Sequence, residues 1–211
     1  MSSVASRESA NREPLPRRRA APSSINLPLV DERTASEEVR GLFARYRERF
    51  GQSDLPGIVQ CFATNSSLLK SMLELAENFL FGESLLSQRH KEMIATYISG
   101  QNACSYCADS HGALLEMQGG PPEMICALQE GDFNAQLFMS EELALLKFAG
   151  TVNVDSSSVT RADVEAAIHA GWTEAQVAEA VHIVGLFAAF NRIANGFGLP
   201  SPWPDGLRDQ R

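Results

Sequence analysis

Between Thr173 and Phe190 the chain specifies a helix whose second half has no polar face. Thr173 and Gln176 form a capping box at its start, Val177, Val181, Val184, Phe187 and Ala188 recur at helical spacing, and residues 183–190 are apolar on every side. Such a helix must be surrounded, either at the centre of a bundle or against another subunit. The rest of the chain therefore has to supply further helices, and its pattern does. Ser36 opens one through Val39, Leu42, Phe43 and Tyr46 that stops at Gly51. Asn65 caps a second, carrying Leu68, Leu69, Met72, Leu73, Leu75, Ala76, Phe79 and Leu80 and ending at Gly82. A third begins near Ser87, with Met93, Ile94, Tyr97 and Ile98 on its apolar side, Glu92 at the border of that side and a break expected at Gly100. Pro121-Pro122 opens a short helix closed by Gly131, Ser140 with Glu141 and Glu142 starts another, and Thr160 with Asp163 caps one to Ala170. No sustained period-two alternation interrupts this series from Ser36 to Leu199, so the predicted fold class is all-α. The helical domain spans 34–199, preceded by a disordered or extended arm over 1–33 and followed by an irregular, proline-rich tail over 200–211.

A length of 211 residues suits one domain able to bury its own core. The net charge of −8 argues against the broad basic surface that nucleic acid demands, and Arg17-Arg18-Arg19 reads as part of a solvated arm. No stretch approaches the roughly 20 apolar residues of a membrane span, and no secretory signal opens the chain, so the expectation is a cytoplasmic protein with neither a nucleic-acid nor a membrane partner. Four cysteines are too few for a disulfide scaffold. Cys61 and Cys126 have no thiol or histidine near them in sequence and read as buried and inert.

Cys104 and Cys107 are different. On a helix, Cys107 falls at about 300° and His111 at about 340° from Cys104, so two sulfurs and an imidazole share one narrow face. Glu92, on the preceding helix, can return a carboxylate to the same place. A Cys-x-x-Cys pair near a helix N-terminus has one thiol favoured as thiolate and a second close enough to form a disulfide with it. His111 then serves as the proton acceptor and Glu92 as its orienting partner. The same four residues suit a tetrahedral zinc site, giving a zinc-bound or redox-sensing helical oligomer without turnover; acid/base chemistry at Glu92 and His111 is a third possibility. Asn191, Arg192 and His182 are further candidates for the border of a pocket.

Glu92, eleven intervening residues, Cys104-Ser105-Tyr106-Cys107, three more, then His111 resembles the Glu/Cys-x-x-Cys/His signature of the AhpD-like alkylhydroperoxidase branch of the carboxymuconolactone decarboxylase family. The similarity extends from about Leu42 to Leu199 and includes residues 187–194, which look like the Asn-Arg helix of a peroxidase-related subgroup. The resemblance implies an AhpD-like helical bundle, a homo-oligomer, and a peroxidase without metal or cofactor that reduces organic hydroperoxides. In that scheme Cys107 attacks the peroxide, Cys104 resolves, Glu92 and His111 relay the proton, and a dihydrolipoyl-type or thioredoxin-like dithiol is the reductant. AhpD resembles Cys-x-His-Cys where this chain has Tyr106, a phenol that can donate a hydrogen bond but cannot act as base at neutral pH. The decarboxylase branch, which generally lacks the cysteine pair, implies the acid/base alternative.

Overall fold

The computed structural model describes residues 25–134 and 136–202; most of the N-terminal arm and of the C-terminal tail lies outside them. Nine α-helices follow one another, and no strand occurs among the described residues. They are α1 (Glu37–Phe50), α2 (Gly57–Phe62), α3 (Ser66–Leu75), α4 (Gln88–Gln101), α5 (Ser105–Met117), α6 (Pro122–Glu130), α7 (Ser140–Asp155), α8 (Arg161–His169) and α9 (Glu174–Phe197).

The starts obey the expected capping chemistry: side chains of Ser36, Asn65, Ser87 and Thr173 accept from Val39, Leu68, His90 and Gln176 backbone N–H groups. Three local features differ from the sequence expectation. A π-turn over Ala76–Leu80 ends α3. At α7 the first residue is Ser140, and the cap is instead the Glu142 carboxylate, which accepts from Met139 N–H at 3.0 Å. Gly100 does not break α4; a Cβ there would lie 2.3 Å from the Gln129 carbonyl oxygen, so the glycine admits the α6 backbone instead. The chain turns at Asn102 and Ala103, the latter at φ 52°, and this tight turn makes α4 and α5 an antiparallel hairpin.

α4 is the axis of the molecule, fully covered by α5, α6, α7 and α9; Met93, Ile94, Ala95 and Ile98 are all at most 1% exposed. Met93, Ile94 and Ile98 each contribute about 1.5–3 kcal/mol by leaving water. α9 lies beside it and buries Val177, Ala180, Ile183, Val184, Phe187, Asn191 and Ala194. By length and composition alone this 24-residue helix is apolar enough to cross a bilayer, contrary to the sequence expectation. Its inward face is instead the core of the helical bundle. Its other face is exposed: Ala178, Val181, Gly185 and Ala189 stand outward with His182 and Arg192. α1, α2 and α3 form a second apolar cluster around Phe43, Leu69 and Leu73. Between the two clusters a small third one gathers Cys61, Cys104, Cys107, Ala194 and Leu199.

Candidate active site

The α4–α5 hairpin brings together the residues singled out by spacing. Near its open end, His111 Nδ1 and Glu92 Oε2 are 2.6 Å apart, with Glu92 side chain 1% and His111 side chain 13% exposed. Gln88, one turn before Glu92, donates to the other carboxylate oxygen at 2.6 Å, so both oxygens are held. The imidazole packs edge-on against Phe187 of α9, with ring centroids 4.6 Å apart. Among the described residues, His111 Nε2 makes no hydrogen bond.

Near the closed end, Cys104 is the N-cap of α5 rather than a residue within it. Its sulfur accepts from Cys107 N–H at 3.5 Å, and its own N–H is held by the Ser99 carbonyl at 2.9 Å. A hydrogen bond from the Cys107 thiol, helped by Cys107 N–H and the Asn191 amide, draws the Cys104 thiol below its ordinary range despite burial. Cys107 is pushed well above it, first by bonding to Cys104 and then by desolvation. The pair is thus asymmetric: a thiolate-favouring sulfur at Cys104, fully buried, and a protonated one at Cys107, 4% exposed.

Asn191, fully buried, is the pocket candidate that the structure brings to the sulfurs. Its Nδ2 donates to Ser99 Oγ at 2.9 Å and to the sulfurs, while Asn102 Nδ2 donates to its Oδ1 at 2.9 Å. Asn102 is fixed in turn by a reciprocal amide pair with Asn153, 3.1 Å each way. Tyr106 is committed elsewhere: its hydroxyl accepts from Ile58 N–H at 3.2 Å, joining α2 to α5, and burial raises its pKa. Arg192 is exposed and donates to Ala188 of its own helix, and His182 lies over Phe79.

Cys61, distant in sequence, belongs to the cluster of the pair, but burial pushes its thiol up to about 12. Cys126 is exposed, against the expectation of burial, because α6 turns that face outward. Glu92, Cys104, Cys107 and His111 do not converge as zinc ligands: the carboxylate and imidazole bond each other, and no group of three or more His, Cys, Asp or Glu side chains among the described residues is placed to hold a metal ion. Sequence reasoning missed Gln88, Ser99 and Asn102. Gln88 was findable, four residues before Glu92 on the same helical face; the others depend on where α9 docks.

The model of the carboxymuconolactone decarboxylase family matches residues 67–146, a segment that contains Glu92, both cysteines and His111. No curated protein matches the chain. Among solved structures, an uncharacterized peroxidase-related protein from Silicibacter sp. TM1040 is 25% identical, over 84% of this chain and 91% of that one, with a TM-score of 0.71. An uncharacterized peroxidase-related protein from Ralstonia eutropha JMP134, described as an alkylhydroperoxidase AhpD core, is 22% identical over 87% and 94% of the two chains, with a TM-score of 0.76. The fold is thus of the AhpD helical type.

Proposed function

With an AhpD-type fold and a carboxymuconolactone decarboxylase family match over residues 67–146 as premise, we propose that the protein is a thiol peroxidase that reduces organic hydroperoxides through Cys107 and Cys104. The observation that carries the reading is the alignment, along one helical hairpin, of a bonded Glu92–His111 pair with two sulfurs one helical turn apart, the Cys104 sulfur accepting from Cys107 N–H. Both cysteines are buried, and His111 stands one turn beyond Cys107 along α5. No hydrogen bond joins the imidazole to either sulfur, so the proton of Cys107 passes to His111 through an intervening water or peroxide oxygen, with Glu92 stabilising the imidazolium.

The Cys107 thiolate attacks the terminal peroxide oxygen; the S–O bond forms as the O–O bond breaks. The alkoxide takes the proton from His111 and leaves as alcohol. Cys104 then attacks the sulfenic sulfur, the S–S bond forming as the S–O bond breaks, and its thiol proton goes to the departing hydroxide, which leaves as water. An external dithiol of dihydrolipoyl or thioredoxin type restores both thiols by exchange, in a reducing compartment such as the cytoplasm. The exposed small-residue face of α9 supports assembly into a homo-oligomer, to be tested by light scattering.

Treating Cys104→Ser protein with an organic hydroperoxide and dimedone should label Cys107, because the sulfenic acid can no longer be resolved. Absence of label on Cys107 sinks the cycle. A second reading, acid/base chemistry at Glu92 and His111 alone, draws on the absence of a direct bond between His111 and the sulfurs. It requires that a Cys104→Ser/Cys107→Ser protein keep full turnover.

A further inference from the structure

One buried side-chain nitrogen or oxygen among the described residues has no hydrogen-bond partner: Thr96 Oγ1, on a residue 0% exposed in the middle of α4. An orphan hydroxyl in the best-packed helix of the molecule is costly and calls for an explanation. Its position supplies one. About Glu92, Thr96 lies roughly 40° to one side and Ser99 about 20° to the other, so the three form a stripe down α4. Glu92 is bonded to His111 of α5. Ser99 holds Cys104 N–H and shares the Asn191 amide with the sulfurs. In an antiparallel hairpin with equal rise on both arms, these two contacts fix the register. Four residues on from Glu92 is Thr96, and four residues back from His111 is Cys107, so the two stand at the same level, between the imidazole end and the thiolate end of the site.

We propose that Thr96 is a substrate-contacting residue whose hydroxyl donates a hydrogen bond to the peroxide oxygen that leaves as alkoxide when Cys107 attacks the terminal one. This rests on the peroxidase reading above. As the Cys107 sulfur forms its bond to the terminal oxygen and the O–O bond breaks, negative charge develops on the alkoxide oxygen, which finally receives its proton from His111. A buried donor at the level of the sulfur stabilises that charge. In the resting protein the donor has no acceptor, which is why it is unpaired.

The test is the second-order rate of Cys104–Cys107 disulfide formation with an alkyl hydroperoxide in wild type, Thr96→Val and Thr96→Ser, beside the rate of cysteine alkylation by iodoacetamide and thermal melting. The proposal expects Thr96→Val to slow disulfide formation about tenfold or more, and Thr96→Ser to stay within about threefold of wild type, as loss and retention of one transition-state donor require. Alkylation, which has no O–O bond to break, should change by less than about twofold in either variant. Thr96→Val should also melt higher than wild type, because it removes an unpaired hydroxyl without changing shape. If Thr96→Val reacts with peroxide as fast as wild type, or slows alkylation equally, or melts lower, the proposal is overturned while the peroxidase reading stands. If wild type forms no disulfide, the reading itself falls and the proposal with it.

Discussion

Lys91 and Glu92 are neighbours on α4, both fully buried, yet the pairs they form are satisfied to different degrees. Lys91 Nζ donates to the carbonyls of Phe79 at 2.7 Å and Gly82 at 2.8 Å, closing the π-turn, and stands 3.9 Å from Glu179 Oε1 of α9. Glu179 also accepts from Ser84 Oγ and from the N–H groups of Leu85 and Leu86. Every polar group of this pair has a fixed partner, and its side chains are 0% and 7% exposed. The Glu92–His111 pair, one residue away, keeps one imidazole nitrogen unbonded. A saturated pair can only hold structure; one with spare capacity can accept a proton or a substrate atom. The difference separates scaffold from site more sharply than burial does.

Substitutions on the two pairs should therefore have opposite consequences. His111→Gln should lower hydroperoxide turnover by about 10²–10⁴-fold in steady-state assays, the usual value of a positioned acid–base group. Its cost in urea unfolding should be only about 1 kcal/mol. Lys91→Met should cost about 3–5 kcal/mol of stability, since it leaves the Glu179 carboxylate buried without its cation. The protein that remains folded should form the disulfide at close to the wild-type rate. Should Lys91→Met instead spare stability and abolish turnover, the contrast between the pairs collapses.

A smaller effect sharpens the account of the sulfurs. Thiolate absorbance against pH should rise in two well-separated steps, Cys104 below the ordinary thiol range and Cys107 well above it. Bonding to the Cys104 anion lowers its pKa, so removing a donor must raise it: Asn191→Ala should move the first step to higher pH and slow alkylation at neutral pH. The smallest expected change is at Tyr106. Tyr106→Phe loses the bond from Ile58 N–H and should cost about 1 kcal/mol with little effect on the chemistry, because the phenol holds α2 rather than the reacting groups.

Much of this was legible in the chain. The caps at Ser36, Asn65, Ser87 and Thr173 are local chemistry, written within four residues of each helix start. The Glu92–His111 contact was also readable, because a helix, a tight turn and a second helix leave few registers. What could not be read depends on docking between distant segments. Cys61 reaches the sulfurs only because α2 packs near α5 and α9. Asn191 and Asn102 meet across 89 residues of sequence. The π-turn arises where Lys91, a residue with no sequence signal for it, gathers the Phe79 and Gly82 carbonyls. Cys126 shows the converse, since a cysteine in an apolar run looks buried until the facing of its short helix is known.

The most direct measurement is the intact mass of the reduced protein before and after one equivalent of an organic hydroperoxide, with peptide mapping of any new crosslink. The account predicts loss of two hydrogens and a bond between Cys104 and Cys107, both reversed by a dithiol. An unchanged mass, with both thiols shown to be reduced and accessible to alkylation, would contradict it.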